Sequence, residues 1–432
     1  MIQAAETTPD GRVQKFRIHD LLREIITSKT RDQNFATIAK EYNMPWPDKV
    51  ARLSIHNTLQ YVQQYRSASQ LRSLFMFRVA EKPSLQRFSP TGFTLLNVLD
   101  LQSTPLNVFP AEVVNLFFLK YLSLKDTRVK TVPTWIGKLQ NLETLDLKNS
   151  RVTELPVEIL KLQHLRHLLV YHYEFLPHEF HSKYGFKVLG KIGALTSLQK
   201  LCFIEVNQDG GAILIELGKL VQLRRLGIVK MRKEYGKAFC SSVEKLTKIC
   251  SLSITSVEED EIIDLEYLFF SSSTASAALL ARTTGDVTSL DTFSSWPLHL
   301  LLSEAFEGDT LRFGAGGFKK LKRLCLDKSD QLRCIWVEAE TMPCIEQLSI
   351  KRCKSLEKVP LGIEHLITLK VLEFSDMPEK LIRTLLPHEQ GNDYWKVAHI
   401  PEVHITYWRE WEWKVYSLEG LSEAQKSHFC CK

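Results

Sequence analysis

The chain has 432 residues, of which 44% are hydrophobic and 25% charged, and its formal net charge is +6. This is the composition of an ordinary soluble protein, and the mild positive charge permits an acidic partner but lacks the strongly basic character of typical nucleic-acid-binding proteins. No run of 18 consecutive apolar residues occurs, and residues 1–17 lack the apolar stretch of a signal peptide, so we expect neither a membrane span nor secretion. The nine cysteines lack C-x-x-C spacing, which predicts free thiols in a reducing, cytoplasmic setting.

The first predicted elements lie in residues 1–48. We expect residues 1–17 to be irregular, a helix to begin at His19 and a second short helix to cover residues 35–42. Pro45 ends this region, because proline cannot continue a helix. The first helix has one apolar face, formed by Leu21, Leu22, Ile25 and Ile26.

Four segments with an L-x-x-L-x-L pattern then follow one another at a constant step of 23 residues, and their central leucines are Leu99, Leu122, Leu145 and Leu168. Hydroxyl residues and prolines recur at later positions of the same period, namely Thr104, Thr127 and Ser150, and Pro110, Pro133 and Pro156. A period in the twenties with this pattern is the signature of leucine-rich repeats, in which each repeat supplies one strand and a return segment. We therefore predict an α/β solenoid with a curved parallel sheet, short helices on the convex side and one continuous leucine core.

Two blocks of repeats are predicted, over residues 49–265 and residues 318–386. Between them, residues 266–317 include a stretch rich in Ser, Thr and Ala without leucine spacing. We interpret it as a lost or replaced segment or a gene-model error, with a true exposed insertion as the alternative. The 72 residues from Leu252 to Leu324 have room for three steps of 24. Aromatic and alternating residues within 387–432 predict a cap over the last repeat and a tail, because an open solenoid end exposes its core.

No catalytic or metal-binding arrangement stands out. Residues 185–192 resemble a phosphate-binding loop, but Ile192 replaces the Ser or Thr that would hold Mg²⁺, and it opens a return segment like that at residues 136–142. Five histidines between His164 and His181 lack the framework of a metal site, so a solvated loop is the simpler interpretation. We predict that the chain is not an enzyme and needs no cofactor, with nucleotide hydrolysis at residues 185–192 as the weakest alternative.

Repeat proteins usually bind through the concave face, where side chains between the inward leucines point outward in register. The sequence places mixed charges there in the early repeats and mainly basic side chains from Arg166 onward. Such a surface suits an acidic protein partner, and the alternative is a set of solvated polar positions without a partner. The candidate partner-binding residues are Lys120, Tyr121, Lys125, Arg166, His167, Tyr171, Lys200, Arg224, Arg225 and Lys230.

Residues 17–26, which include His19 and Asp20, resemble the Met-His-Asp motif that closes the winged-helix part of plant nucleotide-binding leucine-rich-repeat (NB-ARC-LRR) disease-resistance proteins. The order of motif, linker and repeats is similar to that family, and residues 394–401 resemble cereal members of its coiled-coil subclass. The resemblance implies that residues 1–48 are a small helical winged-helix remnant and linker, that His19 contacts the phosphate of ADP, and that Asp20 supports the local fold. The family's phosphate-binding loop, second nucleotide-site motif and coiled coil are missing from this sequence. We therefore expect a truncated receptor that does not bind the ADP or ATP used by intact members.

The same resemblance implies a function in plant defence. We expect the recognition module of an intracellular immune receptor, which senses a pathogen effector or a guarded host protein through the concave face. In an intact receptor the amino-terminal repeats would also dock against the nucleotide-binding module. We expect a cytoplasmic location, with the plasma membrane or the nucleus as further locations, and no nucleic-acid partner. The alternative is a constitutive leucine-rich-repeat signalling scaffold without an immune role.

Overall fold

The structure is a computed structural model. It describes residues 2–7, 13–33, 35–39, 50–56, 70–77, 93–175, 180–187, 190–206, 210–256, 298–303, 309–315, 318–385, 393–409 and 412–418. The chain divides into two compact units. We name them the amino-terminal unit, Met1–Glu205 with Lys219–Leu223, and the carboxy-terminal unit, Val206–Gly218 with Arg224–Lys432. Within the described ranges, no helix is long and apolar enough to cross a membrane.

The amino-terminal unit opens with a mixture of strands and helix. Its first elements are β1 (Ile2–Thr7), β2 (Val13–Ile18), α1 (Asp20–Asp32), β3 (Thr37–Ala39) and β4 (Arg52–His56). The expectation that residues 1–17 are irregular is wrong, since β1 and β2 pair antiparallel and Phe16 and Ile18 alternate with a polar residue as in a strand. The second helix predicted over residues 35–42 is also wrong. β3 pairs in parallel with β4, and the β-branched Ile38 favours that strand.

A parallel sheet forms most of the remaining amino-terminal unit. The strands that follow are β5 (Ser73–Phe77), β6 (Val98–Asp100), β7 (Tyr121–Ser123), β8 (Thr144–Asp146), β9 (His167–Leu169), β10 (His172–Phe175), β11 (Phe180–Tyr184), β12 (Phe186–Lys187) and β13 (Lys200–Glu205). β3 to β9 pair in chain order, β13 pairs with β9 and then with β12, and β10 and β11 form a separate antiparallel pair.

The leucine core follows the predicted register. Leu99, Leu122, Leu145 and Leu168 are register partners on adjacent parallel strands, and none is more than 2% exposed. The full burial of each leucine contributes roughly 1.5–3 kcal/mol, so the stacked repeats share one large apolar core. The prediction of a leucine-rich-repeat solenoid is confirmed.

The return segments of the amino-terminal unit are short 3₁₀ helices. Their bounds are Ala111–Asn115, Thr134–Lys138, Val157–Lys161 and Ile192–Ala194. The first three begin directly after Pro110, Pro133 and Pro156, whose φ angles lie between −69° and −75°. Because proline has no N–H and a fixed φ, it ends strand pairing and prepares the helical turn.

Two features turn the chain after several of the repeat strands, a hydroxyl hydrogen bond and a left-handed backbone conformation. The recurring hydroxyls of Thr104, Thr127 and Ser150 donate to the carbonyl oxygens of Leu101, Leu124 and Leu147, each at 2.7 Å. The residue four positions after the central leucine has a φ between 48° and 58° in several repeats of each unit, at Ser103, Asp126, Asn149, Lys230, Lys328, Arg352 and Asp376. Asn and Asp tolerate this left-handed conformation best, and other side chains adopt it at a cost of about 1–2 kcal/mol.

The carboxy-terminal unit follows the same plan with longer strands. Its helices and strands are α2 (Gly210–Leu217), β14 (Arg225–Met231), α3 (Gly236–Val243), β15 (Ser251–Ser256), β16 (His299–Ser303), β17 (Thr310–Phe313), β18 (Arg323–Asp327), β19 (Cys334–Val337), β20 (Gln347–Lys351), β21 (Val371–Ser375), α4 (Glu379–Leu385), α5 (Tyr394–Val397), β22 (Glu402–Arg409) and β23 (Glu412–Ser417). Two 3₁₀ helices cover Lys233–Tyr235 and Ile363–His365. β14, β15, β16, β18, β20, β21 and β22 are parallel neighbours in that order, and β23 pairs antiparallel with β22. β17 and β19 form a separate parallel sheet.

One repeat strand lies where the sequence predicts an irregular segment. Most of the segment 266–317 falls outside the described residues, but β16 and β17 lie within it. β16 pairs in parallel with β15 and β18, with Leu300 in register with Leu252 on one side and Leu324 on the other. A run of leucines at this point hides the alternation by which Leu300 and Leu302 face the core. The expectation of irregular structure is therefore wrong for β16.

Candidate functional site

The candidate surface is the outer face of each parallel sheet. Because strand side chains alternate, the residues between the buried leucines lie on the opposite face from the core. In the amino-terminal unit we call this face the amino-terminal ladder. It consists of the outward-facing side chains of residues 97–102, 120–125, 143–148, 166–171 and 199–203. The carboxy-terminal ladder is the same face of the other unit, at residues 224–230, 250–255, 298–303, 322–328, 346–352 and 370–376.

Glu143 pairs with two of the predicted partner-binding cations. Its carboxylate lies 3.0 Å from Nζ of Lys120 on one side and 3.6 Å from Nη1 of Arg166 on the other. The hydrogen bond from Lys120 lowers the pKa of Glu143, and the charges of Lys120 and Arg166 outweigh the remaining effect of desolvation. These three side chains together carry a single net positive charge, so this part of the ladder is less basic than its cations alone suggest.

His167 and Lys200 extend the same surface onto the next two strands. They are register partners on β9 and β13, and Nδ1 of His167 lies 2.9 Å from Oγ1 of Thr144. Burial lowers the pKa of His167, and the charges of Lys200 and Arg166 lower it further against the opposing charge of Glu143. The imidazole is therefore neutral at pH 7 and offers hydrogen bonding without charge.

The early part of the amino-terminal ladder is balanced in charge. Nζ of Lys125 lies 3.7 Å from the carboxylate of Asp126. Burial raises the pKa of Tyr121 to about 12, and the charges of Asp100 and Asp146 contribute to the shift. Tyr121 therefore presents a protonated hydroxyl, and the predicted cation Lys125 has an acid beside it.

Tyr171 packs against an aromatic residue that the sequence reasoning missed. The rings of Tyr171 and Phe203 meet edge to face, with centroids 4.9 Å apart. Phe203 has a φ of 55° at the point where β13 changes its partner from β9 to β12, as in a β-bulge. Phe203 occupies the last apolar position of an L-x-x-L-x-L-like segment, residues 198–203, where the repeat pattern places a core residue. The step from Leu168 to Leu201 is 33 residues instead of 23, and this break in the sequence spacing indicates that the regular repeat pattern fails near Phe203.

Arg224, Arg225 and Lys230 belong to the carboxy-terminal ladder. Arg224 is exposed and directly precedes β14, where its carbonyl oxygen accepts a hydrogen bond from the N–H of Ser251 at 3.0 Å. Arg225 is half-buried in β14, and Lys230 has the left-handed conformation near the end of that strand. The structure thus brings Arg166, His167, Tyr171 and Lys200 together in the amino-terminal unit, whereas Arg224, Arg225 and Lys230 belong to the carboxy-terminal unit.

The carboxy-terminal ladder also holds ion pairs that the sequence reasoning missed. Arg352 donates to Asp327 through Nε at 2.9 Å and through Nη2 at 2.6 Å, in a two-pronged pair between neighbouring repeats. Nζ of Lys351 donates to Glu373 at 2.9 Å. The residues of each pair stand about one repeat apart in the sequence, at 25 and 22 positions, so the repeat spacing was the signal that could have found them.

Glu373 shows how several neighbours keep a half-buried acid ionised. Burial works to raise the pKa of Glu373, but the charge and hydrogen bond of Lys351 and the hydroxyls of Ser349 and Ser375 outweigh it and lower the pKa. Ser349 donates to the carboxylate at 2.9 Å and Ser375 at 3.1 Å. The three donors make Glu373 a fixed part of the ladder.

The two residues that resemble a nucleotide-site motif lie at the start of α1. His19 and Asp20 are both exposed, and Asp20 forms an ion pair with Arg23 at 2.9 Å. This pair spans three residues of the first helical turn, which fits a local structural contact for Asp20. Contact between His19 and a nucleotide stays a prediction from the resemblance.

The stretch that resembles a phosphate-binding loop is part of the repeat structure. Ile192 and Gly193 are buried in a 3₁₀ helix, as are Ile136 and Gly137 in an earlier repeat. Lys187 instead forms an ion pair with Glu154 at 2.7 Å. In the part of the chain that the structure describes, no group of three or more His, Cys, Asp or Glu side chains is placed to hold a metal ion, and His178 lies outside that part.

The chain is similar to several known proteins. Residues 70–297 match the leucine-rich repeat region family. Disease resistance protein RPM1 of Arabidopsis thaliana is 33% identical over 93% of this chain and 46% of its own length. Disease resistance protein RPP8 of the same plant is 26% identical over 90% of this chain and 46% of its own length. The chain thus spans about half the length of these curated relatives. A leucine-rich repeat protein of Leptospira interrogans aligns with a TM-score of 0.48 at 16% identity, over 82% of this chain and 90% of its own.

Proposed function

Because the chain belongs to the leucine-rich-repeat family and is homologous to the carboxy-terminal half of plant disease-resistance proteins, we propose that it is the protein-recognition module of an intracellular plant immune receptor. In this proposal it senses a pathogen effector or a guarded host protein through its ladders. Relatives that carry this region are named disease resistance proteins, and the repeat fold itself supplies a rigid array of outward side chains.

The observation that carries the proposal is the cluster on β9 and β13 of the amino-terminal ladder. Arg166 and Lys200 are both exposed there, beside the neutral His167 and the aromatic pair of Tyr171 and Phe203. Arginine and aromatic residues contribute most of the binding energy at protein interfaces, and exposed cations steer acidic partners. The backbone beneath them is held by strand pairing, so little order has to be gained on binding.

A second contact of this proposed receptor lies at α1. Leu21 and Ile25 are 66% and 55% exposed, and Leu22 and Ile26 are 38% and 42% exposed on the same helix. Four exposed apolar side chains on one helix are typical of a surface that another domain covers. We propose that the nucleotide-binding module of an intact receptor packs against this face, next to His19 and Asp20.

The proposal is tested by a capture experiment in which each ladder is mutated in turn. The tagged full chain is expressed in leaves with and without infection, and bound proteins are quantified by mass spectrometry. Charge reversal at Arg166→Glu with Lys200→Glu tests the amino-terminal ladder, and Arg224→Glu with Arg225→Glu tests the carboxy-terminal ladder.

The matched control is Lys319→Glu with Lys320→Glu, which reverses the same number of charges at exposed residues outside both ladders. A partner that depends on infection and is lost at least about tenfold in one ladder variant, but is retained by the control, agrees with the proposal. Capture that is unchanged in both ladder variants contradicts it. A guarded host protein would be captured from both kinds of leaf in amounts that change on infection, whereas identical partners in unchanged amounts would favour a constitutive scaffold.

A further inference from the structure

Glu143 stands between two cations at the same position of neighbouring repeats. Its Oε1 faces Nζ of Lys120 at 3.0 Å and its Oε2 faces Nη1 of Arg166 at 3.6 Å, so each oxygen has a different partner. The backbone fixes this order, because the N–H of Glu143 donates to the carbonyl of Lys120 and the N–H of Arg166 donates to the carbonyl of Glu143, each at 2.8 Å.

An acid at this position is not required by the repeat. The equivalent residues of neighbouring repeats are Asn97, Lys120, Arg166 and Gln199. Ion pairs at this level of exposure contribute little to stability, so the fold alone gives no strong reason for a carboxylate here.

The two cations are open to a second anion. The side chains of Lys120 and Arg166 are 58% and 54% exposed, whereas that of Glu143 is 32% exposed. The distance between Arg166 and Glu143 exceeds that of a hydrogen bond, and a guanidinium has five N–H donors. Ligand carboxylates that approach from solvent can therefore reach each of the two cations, with His167 and Lys200 on the neighbouring strands.

We infer that β7, β8 and β9 form an anion-binding site in which Glu143 takes the place of a carboxylate from the partner. The inference rests on the proposed function, because it names the chemical group by which a partner would bind the amino-terminal ladder. Glu143 then acts as an internal competitor, and only a partner with several acidic groups displaces it.

The strand spacing indicates the kind of segment that fits. Lys120 and Arg166 stand two strands apart, which is about 10 Å at a spacing of roughly 4.8 Å. Acidic residues three positions apart in a polyproline II segment point the same way and are separated by about 9 Å. We therefore expect an extended peptide with Glu or Asp at every third position to run across the strands.

The test measures the affinity of the full chain for a fluorescent peptide by anisotropy at low ionic strength. The probe contains three glutamates separated by pairs of prolines, and a second probe replaces the glutamates by glutamines. Glu143→Gln removes the competing charge and keeps the side-chain size. The matched control is Glu154→Gln, since Glu154 is likewise an acid paired with a lysine, Lys187, but lies outside the ladder.

We expect Glu143→Gln to bind the acidic probe about three- to tenfold more tightly than the unchanged chain, with no gain for Glu154→Gln or for the glutamine probe. Arg166→Gln should weaken binding in both backgrounds. Equal affinity of Glu143→Gln and the unchanged chain overturns the inference, and so does an equal gain in both glutamate variants, which would reflect net charge alone.

A version of the probe with phosphoserine in place of glutamate distinguishes phosphate groups from carboxylates as the bound anion. A larger gain with phosphoserine than with glutamate assigns the site to a phosphopeptide and overturns the preference for carboxylates. If Glu143→Gln gains nothing while charge reversal at Arg166 and Lys200 still abolishes capture of a leaf protein, the inference fails and the proposed function stands.

Discussion

Asp100 of the amino-terminal ladder and Glu373 of the carboxy-terminal ladder respond to burial in opposite ways. Asp100 and Glu373 occupy the same repeat position, directly after a central leucine. Burial dominates at Asp100 and raises its pKa, whereas Lys351 and two serine hydroxyls overcome burial at Glu373 and lower its pKa. The repeat position thus fixes where a side chain lies, and the residues on neighbouring strands fix its charge state.

The cations of the two ladders differ in the same way. Arg352 holds Asp327 through two hydrogen bonds, and its side chain is only 17% exposed. Arg166 contacts Glu143 at 3.6 Å and is 54% exposed. Arg352 is therefore engaged in an internal pair, whereas Arg166 is available to a partner.

The largest expected effect comes from breaking the buried pair of the carboxy-terminal ladder. Arg352→Met leaves Asp327 with an uncompensated charge in a mostly buried place, and we expect a loss of about 3 kcal/mol in the free energy of unfolding. Urea unfolding followed by circular dichroism measures the loss. Arg166→Met is the matched control, and its exposed pair should cost less than about 0.5 kcal/mol. Equal losses in the two variants would remove the contrast between the ladders.

The acid sensitivity of Glu373 gives the next largest effect. Because its folded-state pKa is lowered, ionisation of Glu373 stabilises the fold above the ordinary value of 4.5, and this contribution is lost as the pH falls through the folded-state pKa. Glu373→Gln should cost about 1–2 kcal/mol at pH 7 and progressively less below pH 4.5. Urea unfolding at several pH values checks the slope. A cost that is independent of pH would show that the charge of Glu373 does not matter.

Asp100 should behave in the opposite sense. Its raised pKa means that ionisation opposes folding, so the penalty is present above the folded-state pKa and disappears below the ordinary value of 3.8. We expect Asp100→Asn to stabilise the chain by about 0.5–1 kcal/mol at pH 7 and to have little effect near pH 3.8. Thermal unfolding at the two pH values measures the difference. Destabilisation at pH 7 would mean that the hydrogen bond from the N–H of Gln102 to Asp100 outweighs burial.

The smallest expected effect concerns His167. Its lowered pKa keeps it neutral at pH 7, and protonation at lower pH adds a positive charge beside Arg166 and Lys200. The acidic probe peptide should therefore bind about two- to threefold more tightly at pH 5.5 than at pH 7. His167→Gln should abolish this rise, and His365→Gln, at an exposed position in the carboxy-terminal unit, should leave it unchanged. A rise that persists in His167→Gln would assign the pH dependence to another group.

Sequence periodicity was sufficient for the core and for part of the candidate site. The step of 23 residues placed Leu99 and Leu122 in register, and the same step puts Glu143 between Lys120 and Arg166. Pairing across strands could thus have been read from the spacing, because residues one repeat apart are neighbours in space. The predictions of a leucine-rich-repeat fold and of kinship with plant disease-resistance proteins are confirmed.

The remaining features depend on tertiary contacts that periodicity does not report. β3 was mistaken for a helix because its only strong support is pairing with β4. β16 was missed because consecutive leucines show no alternation. Phe203 occupies a core position of the pattern, but it has a positive φ where β13 changes its partner, and its ring packs against Tyr171. A pattern predicts which face a side chain takes only where the strand is regular.

The main-chain hydrogen bonds that join the repeats have one further consequence. At the position that holds Asn97, Lys120, Glu143, Arg166 and Gln199, chemically unrelated side chains are carried by equivalent backbone, and main-chain hydrogen bonds join the neighbouring repeats there whatever the side chain. A single-codon change at such a position alters what the surface attracts without altering the scaffold. The protein therefore has a means of acquiring a new binding preference one strand at a time, at almost no cost in foldability.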